Sequence, residues 1–465
     1  MKVTMLGGCQ VGASAALVET IDTHGVVRRI LIDSGSKMGN VEIQNAGHRM
    51  PQEEVDLVII THGHRDHVGH LWAVLYKYPE AIVKMTRPTT YITQINWDDS
   101  FKILKSKVRT HREYYPVLDQ VSKGIENAAK NLSIIEEPGR QEIFPGIFAT
   151  FQAAGHLQGA TWILIEAEGQ TVLFSGDINF QDTPTVSGAK MDEMPTGQID
   201  ALFMDSTYGA KEASLRQDEW DRMARQTKEA LKENRSVVVA SLSLGRLPDI
   251  AVEYAEEGVD IFVDGLGRTT LLEALGLDAQ WSKHERAIDY TLEEPANGNG
   301  GFRSIQIGTA RIKMIDDDLQ REMLLNSSNP KVILAPSGML SGGYSVKYFA
   351  RFLEDPRALL FLTSYQAEET AGASLLRKDK GDKLALLGPR EERIRVQINA
   401  EVHQINLNSH PGASDVFNLL RRVNPARTFL VHGGDRQRAE LRTFLEEKGR
   451  ENIFIPQVGD MIEIG

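Results

Sequence analysis

Cysteine is almost missing: Cys9 is the only one in 465 residues. No internal disulfide can form, which excludes a bridge-stapled secreted scaffold and suits a reducing cytoplasm. No apolar run approaches the roughly 18 to 20 residues of a membrane span. The opening stretch, MKVTMLGGCQVG, has neither the apolar core nor the cleavage pattern of a secretory signal, so a cytoplasmic protein without a membrane partner is expected. Basic residues are in the minority, 52 Lys and Arg against 64 Asp and Glu, for a formal charge of -12. That sign excludes a protein that coats nucleic acid indiscriminately. It leaves room for an enzyme with a local basic groove, or for bound divalent cations that reverse the local field. No internal repeat is present. The composition, 41% hydrophobic and 25% charged, is ordinary for a globular chain, long enough for roughly two to three domains.

Histidine is concentrated in one place. Of 12 in the chain, four fall within VIITHGHRDHVGH, residues 58–70: His62, His64, His67 and His70, with Asp66 among them. Side chains two residues apart in a loop leaving a strand turn the same way, so one tight turn can present several ligands. Imidazole suits zinc, and a carboxylate can bind one ion or bridge two. Four such ligands in six residues exceed what one tetrahedral ion needs once a substrate position stays open. A surface histidine cluster or a single structural zinc is the plainer alternative, but structural zinc usually recruits cysteine, and Cys9 is distant in sequence.

Short apolar, β-branched segments fill the first two hundred residues: KVTML, ILIDSG, VDLVIITH, IFATFQAAGH, TWILIEAEGQTVLFSGD and IDALFMDSTYG. EGQ reads as a tight hairpin turn. Asp33, His62, His156, Asp177 and Asp205 each follow one of these runs, and reactive groups on strand-end loops are a common way to build a site. From about Tyr208 the texture changes. SLRQDEWDRMARQTKEALKENR carries apolar residues at helical spacing, and SVVVASLS, IFVDGLG, KVILAPSG and ALLFLTSY alternate with helical stretches as in a parallel α/β unit, with NGNGG (Asn297 to Gly301) as a turn inside it. Strand patterns return after about Glu391 in RVQINAEVHQINL and TFLVHGG. One domain interrupted by another is the expected organisation: residues 1–207, an insertion over 208–391, and a completing part over 392–465.

HGHRDH resembles the His-x-His-x-Asp-His signature of the metallo-β-lactamase superfamily, with Asp33 in LIDSG, His156 in AAGHLQG and Asp177 in LFSGDIN matching its other motifs in order. The resemblance implies an α/β fold, a four-layer αβ/βα sandwich, with two Zn2+ at the sheet edges. It implies that His62, His64 and His156 hold one metal, that Asp66 and His67 hold the other, and that Asp177 bridges them. Asp33 would orient the ligand loop. His70 lies beyond the signature and is read as peripheral.

The rest of the chain is similar to the β-CASP ribonucleases of that superfamily, the cleavage-and-polyadenylation endonuclease branch and its short prokaryotic relatives. The resemblance rests on FMDSTYG with Asp205, SLGR (Ser243 to Arg246), SGMLSGG (Ser337 to Gly343) and SYQAEETAG (Ser364 to Gly372). His410 in LNSHPGASD and His432 in TFLVHGG stand at the family's later histidine positions. In RNA-acting members the latter completes the second metal's ligands; in the DNA-repair branch it is typically valine. The family usually has aspartate two residues after the former, where this chain has Gly412, which leaves Asp415 as the substitute from a shifted loop.

The implied activity is metal-dependent hydrolysis of single-stranded RNA, internal and with a 5′-exonuclease mode left open, with Asp66, Asp205 and His410 catalytic. His410 would protonate the leaving oxygen and Asp205 would hold it. Ser337, Gly338, Gly342 and Gly343 offer backbone amides to phosphate, although an ordinary glycine turn has the same composition. Arg246 is read either as a phosphate contact or as a brace between domains. The basic stretch KILKSKVRTHRE, Lys102 to Glu113, lines an approach groove or is a solvated helix face. Small-ester or thioester hydrolases on the same fold need neither the insertion nor Asp205 and His432. Non-catalytic RNA-processing subunits lose ligands that are all present here, and a DNA nuclease is opposed by His432. A homodimer is left open.

Overall fold

A computed structural model describes residues 1–37, 47–197, 199–276, 288–294, 301–366, 369–388 and 392–465. Residues 297–300 of NGNGG lie outside them, as do residues 367 and 368 of SYQAEETAG.

Two seven-stranded sheets face each other. The first runs Met461–Glu463, Lys2–Met5, Ala16–Ile21, Val27–Ile32, Leu57–Ile59, Ile82–Thr86, Leu132–Ile135, so the last strand of the chain pairs with the first. The second runs Ile453–Phe454, Arg427–Val431, Ala201–Asp205, Gln170–Phe174, Thr161–Ala167, Ile147–Ala153, Gly139–Phe144. Alternation along each strand sends one set of side chains inward. Val3, Val18, Ile30, Ile32, Leu57 and Ile59 meet Phe151, Ile163, Ile165, Phe174, Phe203 and Phe429 in one core. Phe174, Phe203 and Phe429 stack across adjacent strands at centroid spacings of 4.9 Å. The EGQ turn joins Thr161–Ala167 to Gln170–Phe174 with positive φ at Glu168 (54°) and Gly169 (72°), the geometry of a two-residue hairpin.

Helices close both outer faces. Leu71, Val74 and Leu75 of helix Leu71–Lys77 pack on the first sheet. Val416, Leu419 and Leu420 of helix Ala413–Val423, with Leu441 and Leu445 of helix Asp435–Glu447, pack on the second. The result is a four-layer αβ/βα sandwich.

A third, eight-stranded sheet is built from the middle of the chain: Thr291–Glu293, Arg303–Ile307, Ala310–Met314, Ile261–Val263, Val332–Ala335, Val237–Ala240, Leu359–Leu362, Glu401–Gln404. Its six strands from Ala310–Met314 onward are parallel, and helices cover both faces. Glu401–Gln404, in the part of the chain expected to complete the first domain, joins this sheet instead, by pairing with Leu359–Leu362. Loops at the C-terminal ends of parallel strands are where such sheets place ligands. Here the loop after Val237–Ala240 reaches the sandwich, with Gly245 against Leu157 and Arg246 joining the Thr363 carbonyl to the Ser409 hydroxyl. Asp249 of helix Arg246–Glu256 fastens the two units: its Oδ1 accepts from the hydroxyls of Thr183 (3.0 Å) and Thr185 (2.6 Å) in the loop after Asp177.

Candidate metal centre

Strand Val27–Ile32 ends at Asp33, whose φ of 61° turns its carboxylate under the neighbouring strand end. There Oδ1 accepts from the amide of Thr61 (2.7 Å), Oδ2 from the Thr61 hydroxyl (2.8 Å), and Oδ2 lies 2.7 Å from His67 Nδ1. Asp33 thus clamps both ends of the histidine loop. His62 leaves the end of strand Leu57–Ile59, and the single-turn helix Arg65–Val68 swings Asp66 and His67 back beside it.

Two donor groups result, and a third set, Asp177, Asp205, His410 and His432, overlaps them at Asp177 and His432. In the first, His64 Nδ1 lies 3.2 Å from His62 Nε2 and 3.0 Å from His156 Nε2, while Asp177 Oδ2 is 3.6 and 3.5 Å from those two Nε2 atoms. In the second, His432 Nε2 lies 3.0 Å from Asp66 Oδ2 and 3.4 Å from His67 Nε2. Asp177 stands between them: Oδ2 faces the first group, and Oδ1 lies 3.3 Å from His67 Nε2 and 3.2 Å from His432 Nδ1. Oδ1 is buried and receives no hydrogen bond among the described residues.

This set fits divalent cations. Two ligands of a tetrahedral ion with bonds of about 2.0–2.1 Å sit roughly 3.3 Å apart, close to the spacings of the first group. Burial pushes the His62 and His156 imidazoles well below their ordinary pKa and His64 down to about 4, leaving neutral rings with free lone pairs. Burial would lower His67 too, but the carboxylates of Asp177 and Asp33 override it and hold the ring up at about 10. His432 is likewise raised well above its usual value, against burial, by Asp177, Asp205 and Asp66. The buried carboxylates therefore draw positive charge to the second group, which a metal ion also supplies.

Beside this centre, His410 Nδ1 lies 2.7 Å from Asp205 Oδ2. Asp205 is completely buried at the end of its strand, and its Oδ1 accepts from the amide (3.0 Å) and hydroxyl (2.6 Å) of Thr207. Burial opposes its ionisation, but the His410 charge and hydrogen bond hold its carboxyl below the usual range. The His410 ring is 4.7 Å from that of His156, centroid to centroid. Gly412 also has a physical reason. A Cβ there would stand 2.4 Å from the Ala213 amide nitrogen, and Asp415 turns back to accept from the Gly412 amide at 3.0 Å. Asp415 therefore caps helix Ala413–Val423, and the position two residues after His410 carries no carboxylate.

The remaining expected residues lie outside the donor groups. Arg246 has both terminal nitrogens on protein acceptors, Nη1 on the Thr363 carbonyl (2.7 Å) and Nη2 on the Ser409 hydroxyl (2.9 Å). In the Ser337–Gly343 loop, the Ser341 amide donates to the Ser337 hydroxyl at 3.1 Å, and Gly338 packs against Ser364 and Leu242 rather than the histidines. His70 packs on His48, with centroids 5.0 Å apart and outside both donor groups, and burial lowers it to about 4. Sequence reasoning missed Thr61, Thr207, Tyr208 and Ser409. All four sit inside motifs already singled out, but they act through main-chain and hydroxyl bonds that residue type alone does not announce.

Residues 13–218 match the metallo-beta-lactamase superfamily, residues 253–375 the Beta-Casp domain, and residues 395–456 the Zn-dependent metallo-hydrolase RNA specificity domain. The chain is 26% identical to an RNase J-like protein of Methanocaldococcus jannaschii over 98% of each chain. It is 27% identical to Ribonuclease TTHA0252 of Thermus thermophilus over 94% of this chain and 95% of that one. It is 26% identical to the transcription termination factor FttA of Thermococcus kodakarensis over 100% of this chain and 71% of the factor. A crystal structure of an Enterococcus faecalis protein of unknown function shares the fold, with a TM-score of 0.56, 12% identity and 99% coverage of both chains.

Proposed function

From the premise that this chain belongs to the metallo-beta-lactamase superfamily and carries its Beta-Casp domain, we propose that it is a zinc-dependent ribonuclease that hydrolyses phosphodiester bonds of single-stranded RNA, mainly internally. The observation that carries the reading is Asp177, with one oxygen towards each of two histidine-rich donor groups. Support for RNA as substrate comes from the relatives named as ribonucleases.

His62, His64 and His156 would hold one cation, Asp66, His67 and His432 the other, with Asp177 shared. Two zinc ions so bound supply Lewis acidity, lowering the pKa of water and neutralising charge on phosphate. The protein's own groups then have definite tasks. Asp205, holding Nδ1 of His410, fixes the tautomer and leaves Nε2 to hand a proton to the departing 3′-oxygen, so the products end in 3′-hydroxyl and 5′-phosphate. Asp33 keeps His67 and the turn at Thr61 in place. The domain limits belong to the same proposal, with the return to the first domain set near residue 405, since Glu401–Gln404 pairs within the third sheet.

The test incubates purified protein with internally labelled RNA, 5′-end-labelled RNA and matched DNA, with and without chelator. Chelator-sensitive cleavage of RNA within the chain is expected. Cleavage of DNA alone, or cleavage indifferent to chelator, would overturn the proposal.

A further inference from the structure

We propose that Arg246 is a positioning residue through which the inserted domain sets the alignment of His410; the inference rests on His410 being the proton donor. Arg246 opens helix Arg246–Glu256 of the insertion, after Gly245, whose φ of 67° makes the sharp turn that brings this loop against Leu157, the neighbour of His156. Its guanidinium then joins three parts of the molecule. Nη1 donates to the carbonyl of Thr363, at the end of the third sheet's strand Leu359–Leu362, at 2.7 Å. Nη2 donates to the hydroxyl of Ser409, the residue directly before His410, at 2.9 Å. The Tyr208 hydroxyl lies within its reach, and the Tyr208 ring packs edge-on against the His410 ring at 5.5 Å.

Ser409 faces the metal centre as well: its carbonyl lies 2.7 Å from Nδ1 of His156. One short peptide thus carries the acid, orients a histidine of the first donor group and is tied to the insertion by Arg246. Asp205 alone fixes the tautomer of His410 but leaves the backbone beneath it free to shift. An arginine is suited to the tether because its planar fork serves two acceptors in fixed directions, which lysine cannot match. A misplacement of about 1 Å at a reacting group costs about a hundredfold in rate, so the tether matters even though Arg246 touches no reacting atom.

The experiment compares Arg246→Met, Arg246→Lys, Ser409→Ala and His410→Ala on two substrates. The 3′-oxygen leaving from RNA is an alkoxide and needs the proton; the 4-nitrophenolate leaving from bis(4-nitrophenyl) phosphate is a stable anion and does not. Arg246→Met is expected to lower kcat on RNA about 10- to 100-fold, with KM and bound metal unchanged and the nitrophenyl ester cleaved at the wild-type rate. Arg246→Lys should restore part of the loss, and Ser409→Ala, which deletes only the acceptor, should reproduce the split if Arg246→Met does not fold. A rise in KM for RNA at constant kcat would make Arg246 a phosphate contact and overturn the proposal, as would equal losses on both substrates. If His410→Ala itself fails to discriminate the two leaving groups, the assignment of the acid falls first and takes this inference with it.

Discussion

At the scale of the residue, the two proposed tasks, holding a cation and moving a proton, fall to groups only a few ångströms apart. His410 meets a carboxylate through Nδ1 alone, whereas His67 and His432 are hemmed in by acidic groups on both ring nitrogens. His410→Ala should therefore retain the wild-type metal content by mass spectrometry while kcat on RNA drops about 10²- to 10⁴-fold, and Asp205→Asn should fall in the same range. Loss of metal from either variant would move that residue into the binding set. His70 supports a test of a different kind. Its folded-state pKa of about 4 lies below the ordinary 6.5, so the folded protein binds fewer protons than the unfolded chain between those values. The stability it contributes is complete above pH 6.5 and is lost as the pH falls towards 4. In chelator, His70→Asn should lose less stability than wild type between pH 7 and 4.5, read from denaturant midpoints. Parallel losses would show that His70 does not stay neutral in the fold.

Among the elements, the 24-residue helix Arg87–Thr110 touches the histidine loop and carries the densest basic stretch. In its third turn Asn96 donates to the Gly63 carbonyl in the histidine loop, at 2.5 Å. Further along, Lys102, Lys105 and Arg109 are exposed at helical spacing on one side, in a chain whose overall charge is -12. Reversing all three to glutamate should raise KM on a long RNA about tenfold and flatten its salt dependence, while bis(4-nitrophenyl) phosphate is cleaved as before; an unaltered KM would return this side of the helix to plain solvation. This element also marks the limit of what the chain discloses. The histidine loop was legible because its donors are contiguous, and Asp177 and Asp205 because each ends an apolar strand. The long helix was not recognised beyond its basic stretch, since its buried positions are spaced among polar ones. Glu401–Gln404 looked like part of the returning domain because a short polar edge strand carries no sign of which sheet it will join. Gly412 could not be explained until Ala213, two hundred residues earlier, was seen beside it.

For the molecule as a whole, the two donor groups draw on both ends of the sequence, so cation binding and folding are one equilibrium. Chelator should lower the melting temperature, because ions bound only by the folded chain stabilise it. Asp177→Asn, which removes the shared carboxylate, should be far less sensitive. A melting temperature that ignores chelator in the wild type would mean that the centre holds no tightly bound ion.

The pairing of Met461–Glu463 with Lys2–Met5 has one more result. Strand Met461–Glu463 completes the first sheet at its Lys2–Met5 edge, and His432 precedes it in the chain. A product cut short anywhere upstream of His432 lacks a donor it cannot borrow from elsewhere. A chain that ends before His432 is therefore expected to lack one member of the second donor group and the strand that closes the sandwich.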